Sequence, residues 1–179
     1  MGNPKRTFVV HVEDKPGVLN RVASLFRRRN YNIHSLNVGE TNEAGVSRMT
    51  IVCDANLDMA RRIEANLYKL VNVLRVDDIT DQPSVERNLA MIKVMVGAER
   101  RPEVVQICDV FRARIVDVGP ESLIVEATGP SDKIQGLVTV LEPFGIAEMV
   151  QTGTIAMQRG TDGPGTLNAQ RKGSTRWAA

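Results

Sequence analysis

Aromatic residues, cysteines and histidines are scarce in this sequence. Aromatic residues make up 4% of its 179 residues, so the core must be built from Val, Ile, Leu and Met. The two cysteines, Cys53 and Cys108, lie in a strand-like and a helix-like segment and are too few for a disulfide framework. We therefore expect buried free thiols and a cytoplasmic protein.

Long apolar runs and a concentrated basic surface are also absent. No apolar run approaches the roughly 18 residues that a membrane helix needs, and Phe8 to Val12, interrupted by His11, is too short for a signal peptide. The basic tail from Arg159 onward accounts for the net charge of +2, and we interpret Arg27-Arg28-Arg29 as a solvated helix end. Neither a membrane nor a nucleic acid is an expected partner.

The reactive side chains form no catalytic or metal-binding motif. His11 and His34 are the only two histidines, and they fall on strands that are not adjacent in the predicted sheet. The sequence contains no GxxxxGK[ST], GxGxxG or Cys-x-x-Cys motif. We interpret both histidines as structural or interface residues, and we expect no metal, no cofactor and no catalysis from this chain alone.

Hydrophobic periodicity predicts the element order β-α-β-β-α-β twice. Phe8, Val10 and Val12 alternate along a first strand, and an apolar stripe predicts a helix over 17–29. The other elements predicted in the first half are strands at 31–39, 46–53 and 73–79 and a helix at 55–71, whose stripe runs to Val71. The second half repeats the order, with strands at 89–96, 115–118 and 123–127, a broken strand at 146–157, and helices at 103–112 and 131–142, the last capped by Ser131.

These patterns predict an α+β protein of two ferredoxin-like βαββαβ modules. Residues 5–80 form the first module, 81–84 a linker and 85–160 the second, and the Gly-rich polar tail 161–179, which contains Trp177, is predicted to be disordered. A four-stranded sheet with both helices on one face leaves its other face bare. We expect a homodimer or a partner subunit to cover it.

The segment DKPGVLNRVASLFRRRNYNIHSL, from Asp14 to Leu36, indicates a ligand site. Free N–H groups in the first turn of a helix bind anions, Gly17 permits close approach to the backbone, and Asp14 can accept hydrogen bonds from an ammonium group. A free amino acid carries both charges, and Asn32 offers a donor and an acceptor. The alternative is ordinary helix-start chemistry, in which Asp14 only caps the helix.

Several sequence blocks, taken in their order along the chain, resemble known families of proteins. The segment from Asp14 to Leu36 resembles the start of an ACT domain, the small-molecule sensor module of amino-acid-controlled enzymes. Four further blocks are similar to the regulatory small subunit of acetolactate synthase, also called acetohydroxyacid synthase: SRMTIV, KLVNVLRV, VERNLAMIKV and FRARIVDVGPESLIVEATG. The resemblance covers about residues 6–160 and therefore includes both modules.

This resemblance implies a non-catalytic regulatory subunit. It implies activation of the large catalytic subunit, on which thiamine diphosphate, magnesium and FAD are expected, and feedback inhibition by valine. It also implies a homodimer through the ACT domains, with valine at their interface. The family's valine contacts map onto Asp14 and Gly17 in the first loop and onto Asn32 and Ile33 at the second strand. One position departs from the family, because valine-sensitive members carry Asn where this chain has Asp14.

Two other function classes are weaker interpretations of the sequence. An amino-acid-responsive regulator of transcription needs a DNA-reading helix or ribbon with a basic face, and none is visible. An independent enzyme needs a catalytic constellation, which the sequence lacks.

Overall fold

The computed structural model of the chain describes residues 4–160, which fold into two compact units. The described part of the first unit runs to Val85 and also includes residues 156–160, whereas the second unit is Glu86–Ile155. The predicted disordered tail, with Trp177, lies outside the described residues. No helix between residues 4 and 160 has the length and hydropathy of a membrane-spanning segment.

The first unit is a ferredoxin-like module, as predicted. Its elements are β1 (Lys5–Glu13), α1 (Val18–Arg28), β2 (Ile33–Glu40), β3 (Val46–Asp54), α2 (Leu57–Leu67) and β4 (Val73–Asp78). The strands form an antiparallel sheet in the order β2-β3-β1-β4. This order is the one that two successive β-α-β connections of this kind produce.

Both helices of the first unit form because their apolar residues recur once per turn on one face. Val22 and Phe26 of α1 and Ile63 of α2 are buried against the β1 face that carries Phe8 and Val10. Ile63 is completely buried, so its truncation to Ala should cost about 2–5 kcal/mol.

The ends of α2 follow from local chemistry. Asn56 caps the helix by accepting a hydrogen bond from the N–H of Met59 at 2.9 Å. The helix ends at Leu67, four residues before the predicted end, and Val71 is 93% exposed. The prediction that Val71 belongs to the buried stripe is therefore wrong, because the chain has already turned toward β4.

The second unit repeats the module. Its elements are β5 (Ser84–Met95), α3 (Arg101–Phe111), β6 (Arg114–Val118), β7 (Ser122–Gly129), α4 (Ser131–Leu141) and β8 (Ile146–Gln151). The last strand, β9 (Ile155–Gln158), follows β8 in the chain, and from Ala156 onward it belongs to the first unit. The sheet order is β6-β7-β5-β8, and β9 also pairs with β5. β5 begins at Ser84, inside the segment expected to be a linker. The prediction that Ser131 caps α4 is wrong, because Pro130 holds the N-cap position and no side chain caps that helix.

The open face of the first sheet is not bare. Val9 and Ile79 on this face are buried together with Ala156 of β9, which belongs to the same unit. Arg48 on the same face donates a hydrogen bond to the carbonyl oxygen of Ala156. The returning C-terminal strand therefore covers part of this face, and cover of the remainder by a second chain stays a prediction.

Candidate functional site

The loop between β1 and α1 is shaped by one glycine. Gly17 has a φ of 82° and holds the N-cap position of α1. This left-handed conformation is costly for residues with a Cβ. A Cβ built on Gly17 would meet nothing within 4 Å, so open space adjoins the loop at this point.

The start of α1 presents unpaired backbone donors. No side chain caps the helix, so the interpretation of Asp14 as a helix cap is wrong. Within residues 4–160, the N–H groups of Gly17, Leu19 and Asn20 have no hydrogen-bond partner. Because these donors coincide with the positive end of the helix dipole, this turn suits a carboxylate or another small anion.

Asp14 is held beside this turn by β3 rather than by the helix. The hydroxyl of Ser47 donates to Oδ1 of Asp14 at 3.1 Å, and the N–H of Asp14 donates to the carbonyl oxygen of Gly45 at 2.8 Å. Asp14 is exposed. The site therefore combines an accessible carboxylate with free N–H donors, which is the pair of partners that the two charges of an amino acid require.

A polar network supports the same loop from the β4 side. The side chain of Asn72 accepts from Arg21 of α1 and donates to Oε2 of Glu13 at 2.7 Å. Lys15 reaches the same Glu13 oxygen at 2.9 Å, and the N–H of Glu13 donates to the carbonyl oxygen of Asn72 at 2.8 Å. The role of Asn72 could not be predicted from the sequence, where its only signal is a polar residue between Val71 and Val73.

The structure places Asn32 and Ile33 at the opposite end of the sheet. Ile33 lies across from Cys53, whereas the β1 end that leads into Asp14 lies across from Val46. Val46 and Cys53 are separated along β3 by roughly 23 Å at a rise of about 3.3 Å per residue. One chain thus brings Asp14 and Gly17 together, and it does not bring Asn32 and Ile33 to them.

Asn32 and His34 both contact Asp54 at the end of β3. Nε2 of His34 lies 2.7 Å from Oδ1 of Asp54, and the N–H of Asp54 donates to the carbonyl oxygen of Asn32 at 3.3 Å. The hydrogen bond from His34, with a smaller contribution from Asn32, lowers the pKa of Asp54. Asn32 therefore lies just before β2, in a polar cluster at the sheet edge.

His11 lies on the open face of the first sheet between two arginines. The strand register sets it across from Arg48 of β3 and Arg75 of β4. Burial, and then the charge of Arg48, lower the pKa of His11, while Asp77 acts in the opposite direction. No cluster of three or more His, Cys, Asp or Glu residues that could hold a metal occurs between residues 4 and 160.

Comparisons with known proteins cover both units. Residues 87–160 match the family described as the small subunit of acetolactate synthase, and residues 8–75 match the AHAS small subunit-like ACT domain. The acetolactate synthase small subunit of Mycobacterium bovis is 50% identical over 165 residues, which are 92% of this chain and 98% of that protein. The probable acetolactate synthase small subunit of Archaeoglobus fulgidus is 46% identical over 87% of this chain and 98% of that protein.

A solved structure agrees with these sequence relationships. The crystal structure of the acetolactate synthase small subunit from Thermotoga maritima superposes with a TM-score of 0.81 and 36% identity. The match covers 88% of this chain and 98% of that one. Two family matches that together span both units, and relatives of this identity over nearly their whole length, show that the chain belongs to the acetolactate synthase small-subunit family.

Proposed function

We propose that this chain is the regulatory, non-catalytic subunit of acetolactate synthase. It binds the large catalytic subunit, raises its activity and makes it sensitive to feedback inhibition by valine in branched-chain amino-acid biosynthesis. Thiamine diphosphate, magnesium and FAD belong to the catalytic subunit. The family matches of both units support the assignment, and the buried free thiols suit the reducing cytoplasm.

The proposal of effector binding is supported by the geometry of the loop between β1 and α1. The free N–H groups at Gly17 and Leu19 suit the carboxylate of an amino acid, and the exposed carboxylate of Asp14 suits its ammonium group. The isopropyl group of valine needs an apolar wall. Ile33 of a partner subunit is the residue we assign to that wall.

We propose that the homodimer forms through β2. β2 and β4 are the two outer strands of the first sheet, and outer strands can pair with another chain. The hydroxyl of Tyr68 bonds to both backbone groups of Val76 in β4, so the middle of that edge is already occupied. The β2 edge is therefore the one through which we expect two sheets to join.

This dimer would bring Asp14 of one subunit close to Ile33 of the partner subunit, two expected valine contacts that lie far apart within one chain. An antiparallel pair of β2 strands centred between Leu36 and Asn37 sets Ile33 of the partner subunit opposite Glu40. Glu40 lies across from Ser47, which holds Asp14. Since neighbouring strands lie about 4.8 Å apart, the partner's Ile33 would come within roughly 10 Å of Ser47. A ligand at this junction can favour one dimer geometry and so alter binding or activity of the catalytic subunit.

Reconstitution with the catalytic subunit tests the proposal. Acetolactate formation from pyruvate is measured for this chain alone, the catalytic subunit alone and the mixture, each with thiamine diphosphate, magnesium and FAD, and with or without valine. We expect no turnover by the chain alone, a higher rate in the mixture and inhibition by valine only in the mixture. Turnover by the pure chain, or a mixture with the rate and valine response of the catalytic subunit alone, would contradict the proposal.

A further inference from the structure

Ser47 is the polar exception on the helix-facing side of β3. Alternate residues along this face, Met49, Ile51 and Cys53, are buried in the hydrophobic core. Ser47 continues the alternation opposite Val12 and is only 7% exposed. A buried hydroxyl needs a hydrogen-bond partner, and that of Ser47 is the exposed carboxylate of Asp14.

We propose that Ser47 is a positioning residue for the ammonium group of the effector, an inference that rests on the proposed function. Ser47 fixes Asp14 through Oδ1, and the bond from the Asp14 N–H to Gly45 fixes the backbone of the same residue. Oδ2 of Asp14 has no partner within residues 4–160 and remains available to the ligand. The carboxylate is therefore oriented before the ligand arrives.

This arrangement selects for a protonated amino group. A hydrogen bond between an ammonium group and a carboxylate is charge-assisted and stronger than one between neutral groups. A ligand that carries a hydroxyl in place of the ammonium keeps the carboxylate contact at the start of α1 but loses the charge attraction to Asp14. An oriented carboxylate also binds its partner at a lower entropic cost than a freely rotating one. Loss of the Ser47 hydroxyl should consequently weaken the binding of ligands with an ammonium group more than the binding of their hydroxy analogues.

Calorimetric titration of the full chain with two ligands tests the role of Ser47. The ligands are valine and 2-hydroxy-3-methylbutanoate, which differ in the ammonium group. For Ser47→Ala we expect about tenfold weaker valine binding, the loss typical of one hydrogen bond to a charged group, and less than about twofold change for the hydroxy acid. Ser47→Thr, which retains the hydroxyl, should restore valine binding.

Two further variants separate positioning from folding. Ser47→Cys has nearly the same size but a weak donor, and it should reproduce the selective loss if Ser47→Ala fails to fold. Thr50→Val removes a hydroxyl from the opposite face of β3 and should leave both affinities unchanged. Equal weakening of both ligands by Ser47→Ala, or unchanged valine affinity, would overturn the inference. A wild-type chain that binds no valine, alone or with the catalytic subunit, would overturn the proposed function itself.

Discussion

The hydroxyl of Tyr68 donates to the carbonyl oxygen of Val76 at 3.2 Å and accepts from the N–H of the same residue at 3.1 Å. Val76 lies in the middle of β4, an outer strand of the first sheet. One side chain thereby satisfies two outward-facing backbone groups that a strand from another chain would otherwise use. Natural proteins protect sheet edges by such means, because an open edge invites unwanted pairing.

Tyr68→Phe should open the β4 edge. Loss of both hydrogen bonds should reduce the unfolding free energy by about 1 kcal/mol and speed amide exchange at Val76. We also expect species larger than the wild-type assembly in sedimentation velocity at high concentration. Tyr31→Phe is the control, since Tyr31 packs edge-on against Phe26 with 6.0 Å between ring centroids. Unchanged exchange at Val76 in Tyr68→Phe would show that the hydroxyl does not protect the edge.

The pH dependence of stability should report on His11. Because burial and Arg48 lower its folded pKa below the ordinary value of 6.5, the unfolded chain binds this proton at a higher pH than the folded chain does. The unfolding free energy should therefore decrease as the pH falls from about 6.5 toward the folded pKa. Urea unfolding at pH 7.5, 6.5 and 5.5 measures the decrease.

Two histidine variants separate the sources of this pH dependence. His11→Gln should flatten the decrease, whereas His34→Gln should retain it. If His11→Gln keeps the full wild-type slope, another group is responsible.

Two substitutions of Gly17 should distinguish the effect of charge from the effect of backbone conformation in the loop between β1 and α1. Asp and Asn have nearly the same shape, and both tolerate a positive φ better than other side chains. Gly17→Asp should abolish valine inhibition of the reconstituted enzyme, because its carboxylate repels the carboxylate of the ligand, while activation persists. Gly17→Asn should retain a larger part of the inhibition. Equal inhibition curves for the two variants, measured by acetolactate formation against valine concentration, would place the ligand carboxylate elsewhere.

Both cysteines should resist thiol reagents in the folded protein. Burial raises the pKa of the Cys53 thiol to about 11, and it also raises that of Cys108. Since the thiolate is the reactive form, we expect little reaction with a disulfide reagent at pH 8 and two titrated thiols after unfolding in urea. Rapid reaction of one thiol in the native protein would indicate an opening of its unit on that timescale.

The sequence predicted those features that local periodicity specifies. The two βαββαβ modules and most of the buried stripes could be predicted, because a residue such as Phe8 or Ile63 faces the core by virtue of its spacing. The free donors at Gly17 could also be anticipated from the residues around a helix start. Val71 was misplaced because its spacing continues the α2 stripe, although the helix has already ended.

Long-range partners were decided only by the tertiary structure. Ser47 reaches Asp14, Tyr68 closes the β4 edge, and Ala156 returns to cover Val9, because strand register joins residues that no local pattern relates. Register also separates Asn32 from Asp14 by most of the length of a strand, although the two residues lie in one short segment of the sequence. The sequence by itself therefore determined which groups can meet an amino acid. The packing of β1, β2 and β3 decided which of them one chain can bring together, because side-chain hydrogen bonds extend only about 3 Å.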